Sequence, residues 1–162
     1  MKSYHKVGES MSKNNSLKIT MSIIFLLFTL TLSAESLSNK NYGSVMVSEV
    51  TSIYDGDTFR VLLEGYPEII GYRMGIRVNG IDTPEMRGKC PQEKTLARKA
   101  KELTVAELRK AKTIELRNMK RGKYFRIVAD VYVDNKNLGE MLIEQKLAVP
   151  YDGGHKAKDW CQ

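Results

Sequence analysis

The chain is poor in histidine, cysteine and tryptophan, with two, two and one among 162 residues. Neither His5 nor His155 stands at a ligand spacing from Cys90 or Cys161, which argues against a zinc site. A membrane span needs about 20 apolar residues. The most apolar stretch, Ile19 to Leu32, covers 14 and is interrupted by Thr20, Ser22, Thr29 and Thr31. There is no internal repeat, no low-complexity tract and no linker long enough to separate two domains. Acidic residues are the scarcer charge, 19 against 26 Lys and Arg, for a formal net charge of +7. Such a mild basic excess is compatible with nucleic acid but common among globular domains in general.

What the first residues do contain is an address. Lys13 and Lys18 precede the short apolar core, and Ser33-Ala34 offers small residues for cleavage, with Leu32 an imperfect third position back. A charged start, a short apolar core and a small-residue end describe a secretory signal peptide over residues 1–34. Met1, Met11 and Met21 are all possible starts, and Met11 would give the more usual short basic region. No cysteine lies near the cleavage point, which disfavours a lipid anchor. The expected location is therefore outside the cytoplasm, periplasmic or extracellular.

The leader holds four Lys and one Glu, so the remaining 35–162 carries +7 − 3 = +4. Its length suits one domain around one core. Both cysteines fall in it, and two thiols in an oxidising compartment most simply join as a Cys90–Cys161 disulfide. Closing a loop of about 70 residues contributes roughly 4 kcal/mol in the chain-entropy account. The alternative is two unrelated thiols.

The stretch from Ile76 to Glu85 organises the chain. Ile76 and Val78 alternate with Arg77 and Asn79 as in a half-buried strand. Pro84 then ends the strand, since it cannot donate a ladder hydrogen bond and pushes Thr83 to an extended conformation. Arg77, Asp82, Thr83 and Glu85 gather a guanidinium, a hydroxyl and two carboxylates within nine residues. Two acids that close repel unless a cation or a proton intervenes, which marks a site.

Upstream, Ser44 to Tyr54 alternates with a slip near Ser48-Glu49 that suggests a bulge. Asp55-Gly56-Asp57-Thr58 reads as a hairpin turn into a strand with Phe59, Val61 and Leu63 on one face. Glu64 to Met74, with Gly65, Pro67 and Gly71, reads as a connection. Pro91 to about Ala111 is the best helix, its stripe formed by Leu96, Ala100, Leu103, Leu108 and Ala111 and its basic residues read as a solvated face. Ile114 and Leu116 mark a fourth strand, and Ile127, Ala129, Val131 and Val133 the inward face of a fifth. Asn137, with Glu140 three residues on, caps a short helix from Leu138 to Gln145 whose stripe is Leu138, Met141 and Leu142.

Asp-Gly-Asp-Thr at 55–58, Arg77 followed five residues on by Asp82-Thr83-Pro84-Glu85, and Lys123-Tyr124-Phe125-Arg126 together resemble the staphylococcal nuclease (thermonuclease) family, in order over roughly Ser44 to Tyr151. The element order is that expected of a five-stranded Greek-key barrel of the OB type, one candidate among several α+β folds. The resemblance turns this into the expected fold: α+β, mainly β, with two to three helices. It implies a calcium-dependent endonuclease of low sequence specificity, acting on DNA and RNA with single strands favoured and leaving 3′-phosphorylated products; for the oligomeric state a monomer is the default. Asp57 and Asp82, with the carbonyl of Thr83, would hold Ca²⁺, a fit for hard oxygen donors. Arg77 and Arg126 would bind phosphate oxygens, Glu85 would take the proton of the attacking water, Lys123 and Tyr124 would hold a substrate phosphate, and Tyr151 would stack on a base.

Two readings compete with this one. A non-catalytic OB-fold nucleic-acid-binding module has no need of two acids, Glu85 and two arginines at once. An oligosaccharide-binding barrel would show aromatic platforms, whereas the single Trp160 sits in the tail beside Cys161 and reads as packing. Phe125 departs from the family pattern by standing where the family has glycine, so the turn before Arg126 is expected to differ. The loop between Glu85 and the helix is short, leaving Arg87 and Lys89 to guide substrate. The tail is abbreviated, and a Cys90–Cys161 bridge would pin it near the site.

Overall fold

The computed structural model describes residues 40–162. The signal peptide expected at 1–34 lies outside the described residues. Asn41–Gln162 forms one compact unit. In chain order it contains β1 (Val45–Met46), β2 (Glu49–Ile53), β3 (Thr58–Leu62), α1 (Glu68–Gly71), β4 (Met74–Val78) and β5 (Ile81–Asp82). There follow α2 (Pro91–Lys110), β6 (Ile114–Arg121), a 3₁₀ turn (Lys123–Phe125), β7 (Arg126–Val133), β8 (Lys136–Asn137), α3 (Leu138–Glu144) and β9 (Val149–Pro150).

The main sheet runs β1-β6-β7-β4-β3-β2, with β4 and β7 parallel and the other neighbours antiparallel. Its two ends, β1 and β2, are the two halves of the first predicted strand. They separate at Val47-Ser48, where the sequence alternation slips, so one continuous stretch bonds β6 on one side and β3 on the other. A sheet whose end strands are halves of one segment curls on itself, and the result is the expected OB-like architecture with three helices. The segment read only as a connection also winds into the single turn α1.

Alternating residues fill the interior. Phe59, Val61, Ile76, Val78, Leu116, Ala129, Val131, Leu138 and Leu142 are buried. Each large one contributes about 1.5–3 kcal/mol by leaving water. α2 covers one flank, but its buried line differs from the expected stripe. Ala97, Ala100, Thr104 and Leu108 face inward, while Leu96, Leu103 and Ala111 are half-buried. Small side chains are needed there because the helix lies against the turn at Gly56: a Cβ at Gly56 would sit 2.8 Å from Cβ of Ala100. The Thr104 hydroxyl also donates to the Gly56 carbonyl at 2.7 Å.

α3 begins as read, with Asn137 Oδ1 accepting from the amides of Gly139 and Glu140. Cys90 and Cys161 form the expected disulfide, which ties the end of the chain to the start of α2. Trp160 is buried, as the packing reading required. Among the described residues no helix is long and apolar enough to cross a membrane.

Candidate active site

Strand register assembles the site. Thr58 lies opposite Arg77 across β3 and β4, which sets the Asp55–Thr58 turn beside the guanidinium. The parallel pairing of β4 with β7 puts Arg126 opposite Gly75, where the missing side chain leaves room: a Cβ on Gly75 would stand 3.0 Å from Cγ of Arg126. β4 ends in the Asn79-Gly80 turn, with Gly80 at φ +77°, and the chain returns as β5 to present Asp82, Thr83 and Glu85. β9 pairs with β5, and the Tyr151 amide donates to the Gly80 carbonyl, so the C-terminal tail lies alongside this exit.

Arg77, Glu85, Arg126 and Tyr151 line one cleft of about 370 Å³, together with Tyr54, Asp55, Thr58 and Lys156. At its base the Arg77 Nη1 donates to Asp57 Oδ1, while Nη2 donates to the Ile81 carbonyl at 3.2 Å and stands 3.5 Å from Asp82 Oδ1. Asp57 and Asp82 are both almost fully buried. The other Asp57 oxygen accepts from both the amide and the hydroxyl of Thr83, at 3.1 and 2.7 Å. Thr83 thus orients Asp57 directly. Asp55 is the turn residue it was read to be, its Oδ1 accepting from the amides of Asp57 and Thr58. Burial, and then the Asp57 charge beside it, push its pKa up to about 7.

Lys156 was not among the residues singled out in the sequence. Its Nζ stands 2.7 Å from Asp82 Oδ1 and 2.6 Å from Glu85 Oε1, bridging the two acids. Burial alone would lower its pKa, but the two carboxylates outweigh that and hold it above the usual lysine value. Glu93 is a second unsingled residue. Its buried carboxylate accepts from the amides of Glu85 and Lys89, at 3.3 and 2.7 Å, and fixes the loop carrying Glu85 onto the first turn of α2.

The remaining expected residues stand apart. Lys123 and Tyr124 do not line this cleft; Lys123 offers its carbonyl to Arg126 Nε at 3.4 Å. Tyr124 is 88% exposed, its ring 5.7 Å from the Arg126 guanidinium carbon, so it is not a core residue. Phe125 occupies the glycine position with the backbone a glycine favours: φ is +56° there and +57° at Tyr124. A left-handed conformation costs an L-residue roughly 1–2 kcal/mol. Arg126, the next residue, lines the cleft.

The sequence profile of the staphylococcal nuclease homologue family matches residues 75–160. The chain belongs to that family. The matched span contains Arg77, Asp82, Thr83, Glu85, Arg126 and Tyr151, whereas the turn carrying Asp57 lies upstream of it. A probable endonuclease of Schizosaccharomyces pombe is 28% identical over 145 residues, a match covering 75% of this chain and 62% of that protein. The chain thus spans less than two thirds of that relative's length.

Staphylococcal nuclease homologues are generally metal-dependent. The donor types in this member are those a hard divalent cation takes, two buried carboxylates that both approach Arg77. As they stand, Asp57 pairs with Arg77 and Asp82 with Lys156, which a cation there would replace. Among the described residues, the cluster Cys90, Glu93 and Cys161 brings possible donor atoms within 4.8 Å of one another. Its sulfurs are joined in the disulfide and so are not thiolate ligands.

Proposed function

We propose that this chain is an exported, calcium-dependent endonuclease. It hydrolyses phosphodiester bonds in DNA and RNA with little sequence preference, favours single strands, and leaves 3′-phosphorylated products. The observation that carries this reading is the convergence of Arg77, Arg126 and Glu85 from three segments of the chain on one cleft. The family membership and the endonuclease relative support it.

A phosphodiester resists water because its charge repels the nucleophile and because its transition state concentrates charge on the phosphoryl oxygens. Arg77 is held at two points on the carboxylate side and one on the backbone, so its guanidinium is oriented before substrate arrives. Preorganised donors of this kind stabilise the developing charge without reorganising during the step. Arg126 supplies a second fork from β7. Ca²⁺ held by Asp57, Asp82 and the Thr83 carbonyl would neutralise further phosphate charge. Glu85 accepts the proton of the water that attacks phosphorus. The bond from phosphorus to the 5′ oxygen breaks, and that oxygen leaves with a proton from solvent while the phosphate stays on the 3′ side. For substrate to engage, Glu85 must release Lys156. The pair is half-exposed, and such pairs contribute about 0–1 kcal/mol, so release is easy.

The direction of cleavage is tested by end analysis. Single-stranded DNA labelled at its 5′ end and digested by the protein in Ca²⁺ should yield fragments that a polymerase extends only after phosphatase treatment. Fragments extendable without it would assign the leaving group to the 3′ oxygen and overturn the proposed polarity.

A further inference from the structure

Next to the cleft lies a second and larger groove of about 620 Å³. The two share Tyr54, Thr58 and Arg126, so the groove continues directly from the position given to the scissile phosphate. Its walls come from the end of β2, from β3, from the α1–β4 connection and from the turn before β7.

Three properties of this groove point to a ligand. Its lining includes Arg60, Arg73 and Arg126 but not one Asp or Glu, an unbalanced positive charge. Four of its aromatic rings, those of Tyr54, Tyr72, Tyr124 and Phe125, are more than half exposed and add little to the core. Three of its residues, Arg73, Tyr124 and Phe125, are non-glycine residues at φ between +51° and +57°. Strained backbone that holds side chains out into solvent, with no burial to offset it, is characteristic of ligand sites.

Guanidinium groups and exposed rings lining one groove match a single strand of nucleic acid, which offers both phosphates and base faces. We propose that this groove binds the nucleotides flanking the cleavage point, with bases stacked on Tyr72, Tyr124 and Phe125 and phosphates paired with Arg60 and Arg73. The inference rests on the nuclease reading and extends it: substrate length and single-strandedness are sensed in the groove, while bond cleavage occurs in the cleft. A folded duplex cannot offer base faces to three rings, so the preference for single strands originates here.

The test uses the full-length chain carrying Glu85→Gln, to prevent cutting, and fluorescence anisotropy of labelled DNA. The two probes are a dinucleotide and a strand of about eight nucleotides, within the span an OB fold covers. The longer strand should bind more tightly, and Tyr72→Ala with Arg73→Gly should weaken it by roughly 5- to 150-fold per lost stacking contact. The same pair should narrow the gap between long and short probes, and Tyr72→Phe should keep it wide. Arg73→Gly relieves a left-handed residue, so retained melting temperature separates lost contacts from lost fold. Equal affinity for both probes, or a length preference untouched by the two substitutions, overturns the groove even if the unsubstituted protein cuts DNA. Length-dependent binding by a protein that never cuts supports the groove and sinks the endonuclease. No binding of either probe overturns both.

Discussion

Glu85→Gln lowers kcat on single-stranded DNA by about two to four orders of magnitude, the range a general base supplies, and leaves the melting temperature nearly unchanged. The two halves of this prediction rest on different observations. The glutamate follows the rigid Pro84, its backbone is held by Glu93, and its side chain lines the cleft with both arginines. Glutamine keeps the size and the reach but no longer takes a proton. Its side chain is half-exposed and its ion pair is with Lys156, which retains Asp82 when Glu85 is neutral. Little stability is therefore at stake, since exposed pairs contribute about 0–1 kcal/mol. Single-turnover cleavage and thermal unfolding check the two halves. A large drop in melting temperature would make Glu85 a structural residue, and an unchanged kcat would remove it from the chemistry.

Arg77→Ala is expected to do damage of both kinds. Losing a preorganised donor costs about two to three orders of magnitude in kcat. Arg77 also neutralises Asp57 and stands beside Asp82, two acids that are almost wholly buried. Removing one partner of a buried pair costs about 3–5 kcal/mol, because the other charge is left uncompensated. The variant should therefore be markedly less stable in the absence of a divalent cation and partly recover when Ca²⁺ is added, since a cation on the two carboxylates replaces the lost charge. Arg77→Lys should restore stability more than rate, because an ammonium neutralises the acids but lacks the planar fork. Denaturant titrations with and without Ca²⁺, beside kinetics of both variants, resolve these effects. Unaltered stability of Arg77→Ala would show that Asp57 and Asp82 are compensated in another way.

Much of this arrangement was legible in the sequence because it lies on strands. Alternation across Ile76–Asn79 fixed which side Arg77 faces, but the strand does not run on to Pro84: it ends at Val78, turns at Asn79-Gly80, and returns as the separate β5. The slip at Ser48-Glu49 was read as a bulge, whereas the strand breaks there, the bulge lies between Val50 and Ser52, and the two halves bond opposite ends of the sheet. That closure depends on pairing partners far away in sequence. The helix stripe was incomplete for a different reason. Ala100 and Leu108 are buried and Leu103 and Ala111 pack against the core as read. Apolar periodicity passes over Thr104, which the close approach to Gly56 buries, and the small Ala97.

Lys156 could not be found by pattern. It sits in an irregular tail after Gly153-Gly154, and only the pairing of β9 with β5 carries it to Asp82. Those strands are two residues long, too short to show any alternation. Phe125 raised the opposite problem, a visible departure from the family with an unpredictable outcome. The chain takes a left-handed backbone there, Arg126 lines the cleft, and the aromatic ring turns outward into the adjoining groove.

The most direct test is the digestion of single-stranded DNA by the protein in Ca²⁺, in Mg²⁺ and in chelator, with Glu85→Gln alongside. The account predicts cutting in Ca²⁺ that chelator abolishes and that falls by orders of magnitude in the variant. Binding without cutting in every metal would contradict it and leave an OB-fold module that holds nucleic acid without hydrolysing it.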